Sequence, residues 1–223
     1  MKTILIHGMG NTSADFQVQW QAATRLNCPV SDLIPLYYED LMDSTVLSGL
    51  TRLVIKAASA YYQQSFSLAE LLLADYLQDA TSFMTNAKLR QDIANRLEHQ
   101  LAPLSPQEPI TLVGYSLGGL IAVWLTLSQS WLTDKHPLTL ATIACPLGSP
   151  LQGIATLIKT LFPSKPLKRP PVERFINVYS ALDPLSGKLK NLGCDLQHRI
   201  ALEDRILHTN VAEYLTALAP LLQ

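Results

Sequence analysis

A chain of 223 residues is long enough for one α/β domain with a substantial core. With 48% hydrophobic and 16% charged residues it is a globular rather than a disordered sequence, and its net charge of −1 gives no reason to expect nucleic acid as a partner. Cys28, Cys145 and Cys194 cannot all pair and lack the spacing of a metal site, so they read as reduced thiols, as expected of a cytoplasmic protein.

The apolar run Ile4-Leu5-Ile6 is too short for a signal-peptide core, which needs about 7–15 residues. No stretch reaches the roughly 18 uncharged apolar residues of a membrane span, so no transmembrane segment is expected. Residues 3–6 fit a short buried parallel strand, and His7-Gly8-Met9-Gly10-Asn11 behind them is a glycine-rich loop. Residues 13–26 predict a helix. Residues 33–38 predict a second strand, weakened by Pro35.

Residues 44–101 hold no convincing strand. Val46, Leu50, Leu53, Val54 and Ala57 recur at helical spacing. Ser67 and Glu70 form a capping box ahead of Leu71, Leu72, Ala74 and Leu77, and Ile93, Leu97 and Leu101 mark a third helix. One crossover helix suffices between two parallel strands. Several helices therefore read as an insertion, either a cap over the functional site or an elaborated crossover packed on the sheet.

The apolar run Ile110-Thr111-Leu112-Val113 leads into Gly114-Tyr115-Ser116-Leu117-Gly118, and a helix then runs from Leu117 through Leu120, Ile121, Val123, Trp124 and Leu127. A strand, G-x-S-x-G and a helix in succession make a nucleophile elbow. Gly114 and Gly118 let the backbones pack closely at the turn, and the Ser116 hydroxyl is expected to point into solvent. The helix aims its free N–H groups at developing negative charge. An ordinary glycine turn is the plainer reading, but the strand before and the helix after are independent requirements.

Residues 138–144 predict the next strand and 151–162 a short apolar helix. Residues 163–171 are basic and proline-rich, a connector more than an anion-steering loop. Strands follow at 174–179 and 199–202. A helix over 210–222, with Asn210 and Glu213 as a capping pair, closes the chain. Strand and helix signals alternate, so the expected architecture is α/β: a single domain over 1–223, with a mainly parallel sheet flanked by helices.

An elbow serine needs a base, an acid to orient it and an oxyanion hole. On this architecture the order is Ser, then Asp or Glu, then His, at the carboxyl ends of strands. His7 and His99 precede the serine. His136 leads into a strand, and His198 sits at or near the start of the last one. His208, after that strand, is the expected base. Asp183, a few residues past the strand at 174–179, is the expected acid, although Asp-Pro also forms turns. Asp195 and Asp204 are its rivals. The oxyanion donors are the Leu117 N–H and the Met9 N–H, with Gly8 and Gly10 letting the backbone approach.

On His7-Gly8-Met9-Gly10, Gly114 through Gly118, Asp183 and His208, in that order, the chain resembles the α/β-hydrolases. It is similar to the minimal form found in small bacterial lipases and esterases, over nearly its whole length apart from 44–101. Residues Thr142 to Ser149 also resemble the T-x-G-[ST]-P-H-x-G-[ST] stretch of many lipases. They depart from it at Ala144, Cys145 and Leu147, which tells against triacylglycerol lipase activity. The resemblance implies hydrolysis of a small or lipid-like acyl ester through an acyl-enzyme, with no metal or organic cofactor. An acyltransferase or thioesterase on the same triad, or a non-catalytic binding protein on the same scaffold, are the alternatives. Cys145, at a strand end, reads as a buried apolar residue rather than a nucleophile.

Overall fold

The structure is a computed structural model, which describes residues 1–8, 23–26, 28–42, 79–149, 168–181, 183, 185–190, 192–201 and 211–223. Six strands form one sheet: β1 (Lys2–Ile6), β2 (Leu33–Leu36), β3 (Ile110–Tyr115), β4 (Leu138–Ile143), β5 (Arg174–Ser180) and β6 (Leu196–Ile200). Their order is β2-β1-β3-β4-β5-β6, and every neighbouring pair is parallel. The central strands are nearly continuous apolar runs because both their faces are covered. All six residues of β3 are buried.

Alternate side chains of each strand enter opposite layers. Ile4, Ile6, Leu112 and Leu140 pack with helix α1 (Ala87–Leu101) and helix α2 (Leu117–Ser128). Leu5, Val113, Ala141, Ile176 and Val178 pack on the other face with helix α4 (Val211–Leu218) and the short helix Ala23–Leu26. Helix α3 (Ser130–Lys135) leads from α2 into β4.

Helix α1 starts where Asn86 accepts a hydrogen bond from the Leu89 amide, an N-cap. Leu89, Ile93, Ala94, Leu97 and Leu101 are its buried face. Arg96 binds Asp40 with two nitrogens, at 2.6 and 2.9 Å, and also the Tyr37 carbonyl, tying α1 to the segment behind β2. This part of 44–101 therefore covers the sheet as a crossover. The helices expected near 46–57 and 67–77 lie outside the described residues, as does the one at 151–162.

Several boundaries differ from expectation. β2 stops at Leu36, and as an edge strand it accepts Pro35, opposite Leu5. The last strand spans 196–200 instead of 199–202, because its register runs from Ile176↔Leu196 to Ser180↔Ile200. Ladder bonds to β5 place this polar edge strand, whose own pattern says little. His198 consequently lies in the middle of β6 rather than at its start. Of the helix expected over 13–26, the last four residues are described and form a 3-10 turn. The C-terminal helix ends at Leu218 and tightens into a 3-10 turn over Ala219–Leu221. Among the described residues no helix is long and apolar enough to cross a membrane.

Candidate active site

β3 delivers Tyr115 and α2 begins at Leu117, so Ser116 alone makes the turn, at φ 54° and ψ −119°. For a residue with a side chain this conformation costs about 1–3 kcal/mol, and it persists only where the surroundings over-determine it. Here both sides of the serine are pinned. Its N–H donates to the Ile143 carbonyl at 2.8 Å, and its carbonyl accepts from the Gly119 amide at 2.9 Å. The two glycines of the motif are needed for close approach. A Cβ on Gly114 would stand 2.6 Å from the Gly119 Cα, and one on Gly118 would collide with the Ile6 and His7 carbonyl oxygens.

Ser116 is only 1% exposed, whereas the elbow motif predicts a hydroxyl turned to solvent. The cause is the loop after β1. A Cβ on Gly8 would come within 3.1 Å of the Ser116 Cβ and 2.7 Å of the Tyr115 ring, so this backbone lies directly against the serine. Leu117 occupies the first position of α2, where helix amides have no partner within the helix. Both expected oxyanion segments thus converge on the serine as far as Gly8. Met9 and Gly10 lie outside the described residues.

His7 has a definite task in this loop that its sequence position did not disclose. Its ring is fully buried and stacks on Tyr38 (4.2 Å between centroids, 8°) and on Tyr37 (5.5 Å, 26°). Nδ1 donates to the Gly8 carbonyl, which can only accept, so the proton sits on Nδ1. The Tyr38 hydroxyl donates to the His7 carbonyl at 3.0 Å. Burial, opposed by the Gly8 hydrogen bond, lowers the pKa of His7 to about 4, so the ring is neutral.

That shift sets a pH dependence. Between the unfolded pKa near 6.5 and the folded value of about 4 the unfolded chain binds the extra proton. Stability should therefore fall by roughly 3 kcal/mol as pH drops through that window. Urea midpoints at pH 7.5 and pH 4.5 measure it. The drop should be clearly smaller in His7→Gln, and an equal drop in both proteins would refute this account of His7.

Asp183 follows β5 and is 1% exposed. Its Oδ1 accepts from the Leu185 amide at 2.9 Å, so the Asp-Pro segment does form an Asx turn. Its Oδ2 accepts from the Tyr214 hydroxyl at 3.1 Å. The rival Asp195 is committed elsewhere. It takes a two-pronged bond from Arg169, at 2.6 and 2.9 Å, and another from the Phe175 amide near the start of β5. Asp204 and His208 lie outside the described residues. His99 is in the last turn of α1, and His136 binds the Glu108 carbonyl ahead of β4. Both are remote from the carboxyl ends of the strands.

A second feature missed in the sequence steadies the loop that carries Asp183. The buried Thr142 hydroxyl donates to Asn177 Oδ1 at 2.9 Å, and Asn177 Nδ2 donates to the Gly187 carbonyl at 3.1 Å. The Gly187 and Gly148 backbones pack against each other, so the loops after β4 and β5 brace one another. Ala144 takes a left-handed φ of 51° where the resembled lipase stretch has glycine. Cys145 is buried beside Gly119, and burial pushes its thiol up to about 12, which makes it inert as a nucleophile. The three cysteines are all free thiols.

No protein-family model matches the sequence, and no curated protein matches it. Among solved structures the chain is similar to a methylesterase protein, MES16, from Arabidopsis, with 15% identity and a TM-score of 0.49 over 100% of this chain and 97% of that one. It is also similar to polyneuridine aldehyde esterase (11% identity, TM-score 0.48, 100% and 98% covered) and to the pyrethroid hydrolase PytH (13%, 0.46, 99% and 98%). The chain's own topology carries the assignment. Six parallel strands in this order, helices on both faces and a strained serine between β3 and α2 make this an α/β-hydrolase fold.

Proposed function

We propose that the protein is a serine hydrolase that cleaves carboxylic esters through an acyl-enzyme. The observation that carries this reading is the backbone of Ser116. A buried serine held at φ 54° between a strand and a helix is a costly arrangement that glycine would adopt without strain, and its chemical return is a hydroxyl at the helix amino end.

In this reading His208 takes the proton from Ser116 Oγ as that oxygen attacks the ester carbonyl carbon. Asp183 holds the imidazole tautomer and stabilises the imidazolium. The Leu117 and Met9 amides bind the oxyanion. The imidazolium then protonates the departing alkoxide, and water activated by His208 releases the acid and regenerates the serine. No step calls for a metal or organic cofactor. The substrate class is a small-molecule or lipid-like acyl ester. A thioesterase or acyltransferase would share the first half-reaction and differ in the leaving group or in what attacks the acyl-enzyme. The free thiols fit a reducing compartment such as the cytoplasm.

Fluorophosphonate labelling read by intact mass tests the proposal. Wild type should gain one label, Ser116→Ala none, and His208→Ala should label far more slowly. A folded wild type that stays unlabelled would leave the binding-protein reading in its place.

A further inference from the structure

The carboxylate of Asp183 is gripped from two directions. Leu185, within its own turn, supplies the donor to Oδ1, and Tyr214, on α4, supplies the donor to Oδ2. Tyr214 is fully buried. An ionised carboxylate can only accept, so the single proton of the phenol is directed at Asp183. Burial, and then the Asp183 charge, hold the phenol above its ordinary pKa, so it stays a donor at every pH where such an enzyme works.

The position of α4 gives this bond its importance. The helix follows closely behind His208 in the chain, and its Tyr214, Leu215 and Leu218 are sunk in the same layer as Ile176 and Val178 of β5. The Tyr214 ring also lies 6.4 Å from that of Tyr115, the residue before Ser116. One hydroxyl thus joins the loop of the acid to the helix that follows the expected base.

We propose that Tyr214 is a positioning residue: its hydroxyl fixes the orientation of the Asp183 carboxylate and couples the acid-bearing loop to the helix behind His208. This rests on the serine-hydrolase reading above. A carboxylate torsion is intrinsically broad, and a second hydrogen bond from another element narrows it. The same bond withdraws charge from Oδ2. Without it the carboxylate stabilises the imidazolium more strongly, and the pKa of the base rises.

The test is the rate of fluorophosphonate labelling against pH in wild type, Tyr214→Phe and Leu218→Val. The second variant trims a buried residue of the same helix and leaves the hydroxyl in place. Tyr214→Phe should label about tenfold more slowly, as expected for a displaced catalytic group. The acid limb of its profile should move to higher pH, while Leu218→Val keeps the wild-type rate and limb. Wild-type behaviour in Tyr214→Phe overturns the proposal and leaves the triad standing. Equal slowing in both variants, with no shift of the limb, overturns it in favour of simple packing. A folded but unlabelled wild type overturns the triad reading and this inference with it.

Discussion

Replacing Ser116 with alanine is expected to lower ester turnover by about six orders of magnitude, the scale seen when a triad nucleophile is removed. Replacing it with glycine should abolish turnover equally and at the same time stabilise the fold. At φ 54° and ψ −119° the serine sits where a Cβ is strained by about 1–3 kcal/mol. Glycine relieves that strain but loses about 0.4–1 kcal/mol through the greater freedom of its unfolded chain. The net expectation is a gain of roughly 1 kcal/mol for Ser116→Gly over Ser116→Ala. Turnover of a short-chain nitrophenyl ester and urea midpoints of the three proteins measure both halves. Alanine and glycine variants of equal stability would limit the strain to glycine's entropic cost of about 0.4–1 kcal/mol, at or below the bottom of the expected range. Turnover surviving in Ser116→Ala would place the nucleophile elsewhere.

Asp183→Asn should reduce kcat/KM by about four orders of magnitude with little loss of fold, the magnitude known for the same change in other triads. The Leu185 amide can only donate, so the carboxamide oxygen is forced to the Oδ1 position. The amide nitrogen then takes the Oδ2 position. The Tyr214 hydroxyl, now facing a donor, can turn and accept, which keeps the stability loss near 1 kcal/mol. An imidazole that relies on Oδ2 meets a donor there and adopts the other tautomer. Its proton then faces the serine, and it can no longer act as base. A loss below tenfold would remove Asp183 from the triad and turn attention to Asp204.

Local chemistry determined much of this protein from its sequence alone. The runs that become β1, β3, β4 and β5 are nearly continuous in apolar residues because a parallel strand is covered on both faces, and such runs are visible without a partner. The elbow was legible for a similar reason: Gly114, Ser116 and Gly118 meet a steric demand confined to five residues and their flanking strand and helix. Chain order and a place just beyond a strand are what mark Asp183 as the proposed acid.

What the sequence did not disclose depends on residues distant in the chain. The bounds of β6 are set by its ladder with β5, and a polar edge strand carries no periodicity of its own. The burial of Ser116 comes from Gly8, the neutral state of His7 from its packing against Tyr37 and Tyr38, and the bracing of Asp183 from Tyr214 and Asn177. Each is a contact between side chains or backbones that only the folded sheet brings together. Periodicity and motif report which face of an element is apolar and where the chain must turn. They do not report which polar group will stand opposite another, because that follows from strand order and register, and in this protein only the tertiary structure decided it.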